Sequence, residues 1–491
     1  MIFASGFILY LDLKLHSLEQ NFSLLEGNMM QKQGNACRAR TGKGLIRTAK
    51  LATALALGLL SVPGWSMDLL QTYHLALQND PDWQATLDQY LADQQQEKLA
   101  FGGLLPTVGA SGSITRNRFD PAEPQSNELM GQPITSTSST VRQAGVSLRQ
   151  PLFRMDLWQQ YQQAKVSNSL NDSRYLASQQ AFTLKVAEAY FDVLRAQSLM
   201  ATLNAEEAAL QRQLTMMQAR FKEGVVARTD VSEATAQYQN AVANRIAGEN
   251  QIINAQENLT VILGQPVSTL APLVEDFAAV APVPNQVDSW VDLARQKNPQ
   301  LAQARYQYQI AEENRKIQQS GYYPQLDLVA QTAWNKQTPE TLFNNNGQSS
   351  AVGLELNLPL YRGGRTQTAV TQANYQASAA RNQVDVAERQ VVASVRSAFI
   401  NLNTDRARIR ARQDAMQSSE LVAQASQAGY DLGLRTMVDV LLAQRNAFAA
   451  QQDYINARYD YVLNMLRLKQ AAGQLDQEAL AEINQWLDSN P

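Results

Sequence analysis

The strongest constraint on this sequence is a duplication at long range, which fixes the unit from which the chain is built. Asn79, Asp80 and Pro81 precede a helical run ending in Gly103, Leu104, Leu105 and Pro106. Asn298 and Pro299 precede another ending in Gly321, Tyr322, Tyr323 and Pro324, and both pairs of prolines stand 218 residues apart. Further on, Pro151, Leu152 and Phe153 return as Pro359, Leu360 and Tyr361 at a spacing of 208, so the loop between is ten residues shorter in the second copy. Phe221, Gly224, Asp230 and Val231 then return as Tyr430, Gly433, Asp439 and Val440, and Gly264 as Gly473, all at 209. Landmarks that keep order and register to this extent define one unit used twice.

Each unit switches from helical to extended pattern and back. Residues 68–100 and 287–319 are rich in Ala, Leu, Gln, Glu and Lys and end in glycine and proline, which predicts helices. Extended segments follow. Val352, Leu354, Leu356, Leu358 and Leu360 alternate with Gly353, Glu355, Asn357 and Pro359, the period of two that sends one row to each face of a sheet. Weaker alternation runs through Leu326–Trp334, Val108–Ile114 and Ala144–Leu148, giving four strands in two hairpins with polar tips at about 116–140 and 335–350. Stretches 156–222 and 365–431 then run with hardly a glycine or proline, and 65 helical residues reach on the order of 100 Å. Shorter helices, 229–263 and 436–472, return after Gly224 and Gly433. The expected layout is a presequence over 1–66, a first repeat over 67–265, a proline-rich connector over 266–286, a second repeat over 287–473 and a C-terminal segment over 474–491.

The presequence reading rests on one apolar run. Residues 51–62 are about twelve in number, short of the roughly 20 that a spanning helix requires. Lys32, Arg38, Arg40, Lys43, Arg47 and Lys50 precede it, and Pro63, Gly64, Trp65 and Ser66 follow, the plan of a secretory signal cleaved near Ser66. Met29 or Met30 makes the better start, so 1–28 reads as an extension. Cys37 precedes the apolar run, which argues against lipid attachment there.

Composition narrows the chemistry. The chain is 45% apolar and 18% charged, which excludes a disordered polymer and a helical multispan protein. Lys+Arg 42 against Asp+Glu 45 leaves a formal charge of -3, too little field to hold nucleic acid. One cysteine and two histidines, His16 and His74, leave almost no material for histidine catalysis, zinc or disulfides. Gly363, Gly364 and Arg365 lack the spacing of a phosphate-binding loop. Neither enzyme activity nor a cofactor nor a metal is expected.

Four strands with one apolar row have open edges, and hydrocarbon satisfies no edge amide or carbonyl; closure requires strands from other chains. Outer-membrane barrels usually carry at least eight strands, so three chains supplying about twelve is an economical solution. Phe153, Tyr322, Tyr323 and Tyr361 fall at strand–helix junctions, where amphipathic rings suit a membrane boundary; the alternative is that they are core aromatics.

With its duplicated helix–hairpin–helix plan, its junctions Gln150-Pro151-Leu152-Phe153 and Leu358-Pro359-Leu360-Tyr361-Arg362-Gly363-Gly364, and its paired turns 221–231 and 430–440, the sequence resembles the TolC family of outer-membrane channels over nearly all of its length after residue 66. The resemblance implies an α+β membrane protein: a homotrimer with a 12-stranded β-barrel in the outer membrane lipid and a long α-helical barrel through the periplasm. It implies a passive exit route for drugs or secreted proteins, fed by an inner-membrane ABC or RND-type transporter through a periplasmic adaptor docked at the helix turns, Gly224 and Gly433. It also implies a mouth held shut by polar links, here Thr229 and Asp230 facing Tyr430 and Arg435, with Tyr430 able to donate to the Asp230 carboxylate. The bland alternative is that Asp230 supports a helix start and Arg435 is solvated. Asp439 matches the entrance constriction, while Leu442 stands where the family often has a second acid, which leaves a smaller anionic ring. A non-conducting coiled-coil or adhesin-like scaffold accounts for the helices but leaves the apolar strand rows unexplained.

Overall fold

The computed structural model describes residues 66–120, 125–127, 132–134, 137–267, 269–274, 277–338 and 346–488. The expected presequence up to residue 65, with Cys37 and His16, lies outside them. In order the chain forms α1 (Leu69–Asn79), α2 (Pro81–Asp93), α3 (Gln95–Gly102), β1 (Thr107–Phe119), β2 (Gln125–Asn127), β3 (Gln132–Ile134), β4 (Thr137–Phe153), α4 (Met155–Lys222) and α5 (Arg228–Leu263). It continues with α6 (Val287–Lys297), α7 (Pro299–Gln319), β5 (Gln325–Thr338), β6 (Gly347–Asn357), α8 (Arg365–Asp431), α9 (Met437–Ala471) and α10 (Gln477–Asn484).

The duplicated polar-proline pairs are helix caps. Asp80 accepts from the amides of Asp82 at 2.7 Å and Trp83 at 3.1 Å, and Asn298 from those of Gln300 at 2.9 Å and Leu301 at 3.1 Å. Each proline occupies a first-turn position whose missing N–H costs nothing. The long helices α4 and α8 run for 68 and 67 residues, about 100 Å each at ~1.5 Å per residue.

Each long helix packs against its own return helix and against α7, and aromatic and aliphatic side chains fill the contacts. On the sheet side of the helix middle, α2 lies on α4 through Tyr90 stacked on Tyr175 at 4.5 Å and Trp83 on Phe182 at 5.0 Å, pairs worth about 0.5–1.5 kcal/mol each beyond their burial. Midway, Val186, Tyr190, Phe191 and Leu194 of α4 share one buried core with Leu69, Leu259, Leu263, Leu301, Leu402 and Leu466. The Tyr190 hydroxyl lies against the carbonyls of Ala271 at 2.9 Å and Met67 at 3.1 Å. Bridges join Met67 to Leu270 and Leu273 to Leu487. Residues from the start of the described chain, from the connector and from the C-terminal segment thus meet over the middle of α4.

The sheet has the order β1-β4-β5-β6, antiparallel throughout. Directly paired residues share a face, so Val108, Leu148, Ala330 and Val352 form an apolar row across all four strands, and Leu328 beside Leu354 forms part of another. Ser147, Gln331 and Ala351 form a row on the opposite face, as do Asp327 and Glu355. The apolar face is open: Val108 is 67% exposed, Val352 78%, and Leu354 and Leu356 66% each. β1 and β6 pair on one side only.

Two expectations about the strands need correction. The hairpin tips begin later than the polar residues suggest, because β1 runs to Phe119 and β4 starts at Thr137, while β5 reaches Thr338 and β6 starts at Gly347. Ladder bonds use the backbone, and polar Ser, Thr and Arg side chains carry them as readily as apolar ones. The apolar row of β6 also ends early. Leu358 and Leu360 lie beyond Asn357, the last strand residue, since Pro359 has no amide to donate. Pro151 leaves the same mark in β4, where the register with β5 shifts between Pro151 and Phe153.

Candidate functional site

The turns joining α4 to α5 and α8 to α9 are built alike. Val225 N–H donates to the Arg220 carbonyl at 2.9 Å and Leu434 N–H to that of Gly429 at 2.7 Å, closing each long helix around a left-handed residue. Gly224 and Gly433 supply it, with φ of 73° and 75°.

The next helices start on the two aspartates. Asp439 Oδ2 accepts from the Thr436 amide at 2.9 Å and its hydroxyl at 2.7 Å, while the Asp439 amide donates to Thr436 Oγ1 at 3.3 Å, a reciprocal capping box. In the first copy Ala227 stands in the place of Thr436, so only half the box forms, with Asp230 Oδ2 accepting from the Ala227 amide at 3.3 Å. The Thr436 hydroxyl and amide hold the Asp439 carboxyl below its ordinary range, with the nearby Arg435 acting in the same direction.

Beneath the turns lies a small core of Leu210, Met217, Ala234, Ala241, Met437, Val440 and Leu441. Val440 and Leu441 face it, leaving Asp439 and Leu442, three residues apart, toward the other side of α9, where Leu442 is 47% exposed. Tyr430 packs onto this core, and here the expected pair is not formed within the chain. Its hydroxyl donates to Met217 Sδ at 3.5 Å instead of to Asp230, whose carboxylate is engaged with the Ala227 amide. Thr229 and Arg435 are exposed. Arg435 folds back over Gly429, where an added Cβ would meet its Cγ at 2.8 Å.

Sequence reasoning missed Arg220. Its guanidinium lies 5.0 Å from the Tyr430 ring centroid and 3.6 Å from Asp431. The available signal was a mismatch between the copies: Lys222 in the first corresponds to Asp431 in the second.

At the far end, the expected interface aromatics surround the strand–helix junctions. Tyr322, Tyr323 and Tyr361 are 55%, 48% and 86% exposed, and Phe153 is half-buried at the end of β4. On the polar face, Arg149 donates to Asp327 at 3.1 Å and to Glu355 at 2.8 Å, and Arg154 reaches Asp327 at 3.4 Å and Asp156 at 2.8 Å. Among the described residues no helix is long and apolar enough to cross a membrane, and no group of three or more His, Cys, Asp or Glu could hold a metal ion.

Comparison with known proteins agrees with this geometry. The pattern of the outer membrane efflux protein family matches residues 72–265 and 290–474, one segment in each copy of the repeat. The chain is 33% identical over 440 residues to the outer membrane protein TolC of Vibrio cholerae, covering 89% of this chain and 98% of that one. It is 29% identical over 424 residues to the alkaline protease secretion protein AprF of Pseudomonas aeruginosa, covering 86% and 88%. In fold it resembles the crystal structure of the Campylobacter jejuni outer membrane channel CmeC, with a TM-score of 0.69 at 17% identity, covering 91% and 98%. Kinship of that extent, across both repeats, means that the chain belongs to the outer membrane efflux protein family and is an outer-membrane efflux or secretion channel reaching into the periplasm.

Proposed function

We propose that three copies of the chain close one β-barrel in the outer membrane and one helical barrel beneath it, a passive tunnel for drugs, secreted proteins or both. The carrying observation is the four-stranded sheet, apolar on one face and unpaired along both β1 and β6. In hydrocarbon each unsatisfied edge group costs several kcal/mol, and joining β6 of one copy to β1 of the next removes both edges. An inner-membrane ABC or RND-type transporter supplies the energy, and a periplasmic adaptor delivers the cargo to the turns at Gly224 and Gly433. Phe153, Tyr322, Tyr323 and Tyr361 sit at the membrane–water boundary.

The turns form the periplasmic mouth, which opens by rearrangement of the helices. Thr229, Asp230, Tyr430 and Arg435 provide the links that keep it shut; three copies of Asp439 form an anionic entrance ring, with Leu442 beside it as an apolar constriction. Each link is modest, which suits a contact that must break. The protein is expected to run as a detergent-dependent, heat-modifiable trimer that conducts ions in planar bilayers, with Arg435→Ser combined with Tyr430→Phe raising single-channel conductance. A water-soluble, non-conducting particle would reject the channel reading; unchanged conductance in the double variant would reject the links.

A further inference from the structure

The ends of the two long helices meet in a cluster of which the links above assign only Tyr430. Met217 and Arg220, about one turn apart, close α4; Tyr430 and Asp431 close α8. Arg220 lies over the Tyr430 ring at 5.0 Å and beside the Asp431 carboxylate at 3.6 Å, while the Tyr430 hydroxyl donates to Met217 Sδ at 3.5 Å. Met217 is fully buried, so the hydroxyl is anchored inside the turn-end core. Gln427 Nε2 donates to the same Asp431 carboxylate at 3.3 Å and holds it in place.

Two observations distinguish this cluster from ordinary packing. Asp431 is the last residue of its helix, where the negative end of the macrodipole disfavours a carboxylate and calls for a cation nearby. The internal repeat also breaks here in a complementary way. The copies agree at Gly224 and Gly433 and at Asp230 and Asp439, but the positions just before the glycines differ: Arg220 becomes Gly429, Phe221 becomes Tyr430 and Lys222 becomes Asp431. One copy keeps the cation; the other has acquired the anion and a ring with a hydroxyl. Gly429 in turn vacates the space into which Arg435 folds.

We propose that Met217, Arg220, Tyr430 and Asp431 form a clasp within each protomer, tying the turn end of the first repeat to that of the second, and that the mouth opens only when Arg220 lets go. This rests on reading the turns as the mouth. Arg220 is a positioning residue: it sets where the end of α8 lies relative to α4. The pair is half-exposed, with Arg220 at 35% and Asp431 at 52%, so it is weak enough to be broken by a docking partner.

The test uses the full chain, purified as trimers and inserted singly into planar bilayers. Arg220→Asp and Asp431→Arg are each expected to raise the ratio of open to closed current about fivefold, the loss of one stacked and paired guanidinium. The double reversal should return it to within about twofold of the parent, which loss of packing alone would not do. Arg220→Lys, which keeps charge without a planar face, should fall between. Should Arg220→Asp fail to yield trimers, Arg220→Gln serves in its place, with the same direction expected. If Arg435→Ser raises conductance while the Arg220 and Asp431 variants do not, the clasp is wrong and the mouth stands. If none of these variants moves the current, the mouth reading fails along with the clasp.

Discussion

Val352 and Ala351 are neighbours on β6, both exposed in the single chain, yet they point to opposite faces of the sheet. In water an arginine at either position should shift stability by no more than about 0.5 kcal/mol. In a barrel the two positions part company. Val352 lies five residues from the strand end at Asn357. At about 3.3 Å per residue and a tilt of ~40°, that places it roughly 13 Å up a lipid-facing band ~25 Å tall, near its midplane. Arginine at such a depth costs about 2–4 kcal/mol per chain, and three copies bring the penalty to roughly 6–12 kcal/mol per trimer. Ala351 belongs to the row of Ser147 and Gln331, on the polar face, where the same residue meets water. Denaturant titration in lipid vesicles, followed by the heat-modifiable band and tryptophan fluorescence, should show Val352→Arg unfolding or failing to insert where Ala351→Arg resembles the parent. Equal effects of the two substitutions would refute the assignment of the apolar row to lipid.

Two further outcomes follow from the repeat and its caps. Gly264 and Gly473 close matching helices at φ of 68° and 73°, but a Cβ at Gly473 would lie 2.5 Å from the Lys297 carbonyl oxygen, whereas one at Gly264 would come no nearer than 3.4 Å to Asn79. Gly264→Ala should therefore cost only the left-handed strain, about 1–2 kcal/mol, and Gly473→Ala clearly more, read as the difference in midpoint of thermal trimer dissociation. The Asp439 carboxyl is held below its ordinary range by Thr436, so the cap it makes is fully present above the unfolded value near 4 and is lost as pH falls through the lower folded value. Hydrogen exchange at the first turn of α9 should accelerate, after correction for intrinsic rates, over that acid window in the parent, and Asp439→Asn should abolish the step.

Much of this architecture is legible in the sequence because its signals are local. The limits of α4 and α8 follow from the scarcity of glycine and proline within them and from Gly224 and Gly433 beyond them. The apolar row of β6 follows from alternation alone, up to the point where Pro359 stops it. What the sequence conceals depends on how side chains meet across the fold. Tyr430 and Asp230 stand on the two paired turns, yet the tyrosine takes Met217 because the interior beneath the turn accommodates its ring. Asp230 and Asp439 read as gate acids, and the structure gives both the helix-start role that the sequence offers as the alternative for Asp230 alone; Thr436 four letters before Val440 could have suggested it for Asp439. Arg220 carried no motif at all; only the disagreement between repeats marked it.

The charged knot at the foot of the sheet has a mechanical meaning. Asp327, with a side chain only 7% exposed, is shared by Arg149 on β4 and Arg154 at the head of α4, so flexing the step from strand to helix would separate a sheltered carboxylate from its cations. Leaving a sheltered acceptor unpaired costs about 1–3 kcal/mol, more than a solvent-washed pair such as Arg220 with Asp431 resists. The tube therefore has a stiff collar where it passes through the bilayer and a compliant nozzle at its other end. With the turns as the proposed mouth, movement at the nozzle would leave the seal around the collar undisturbed.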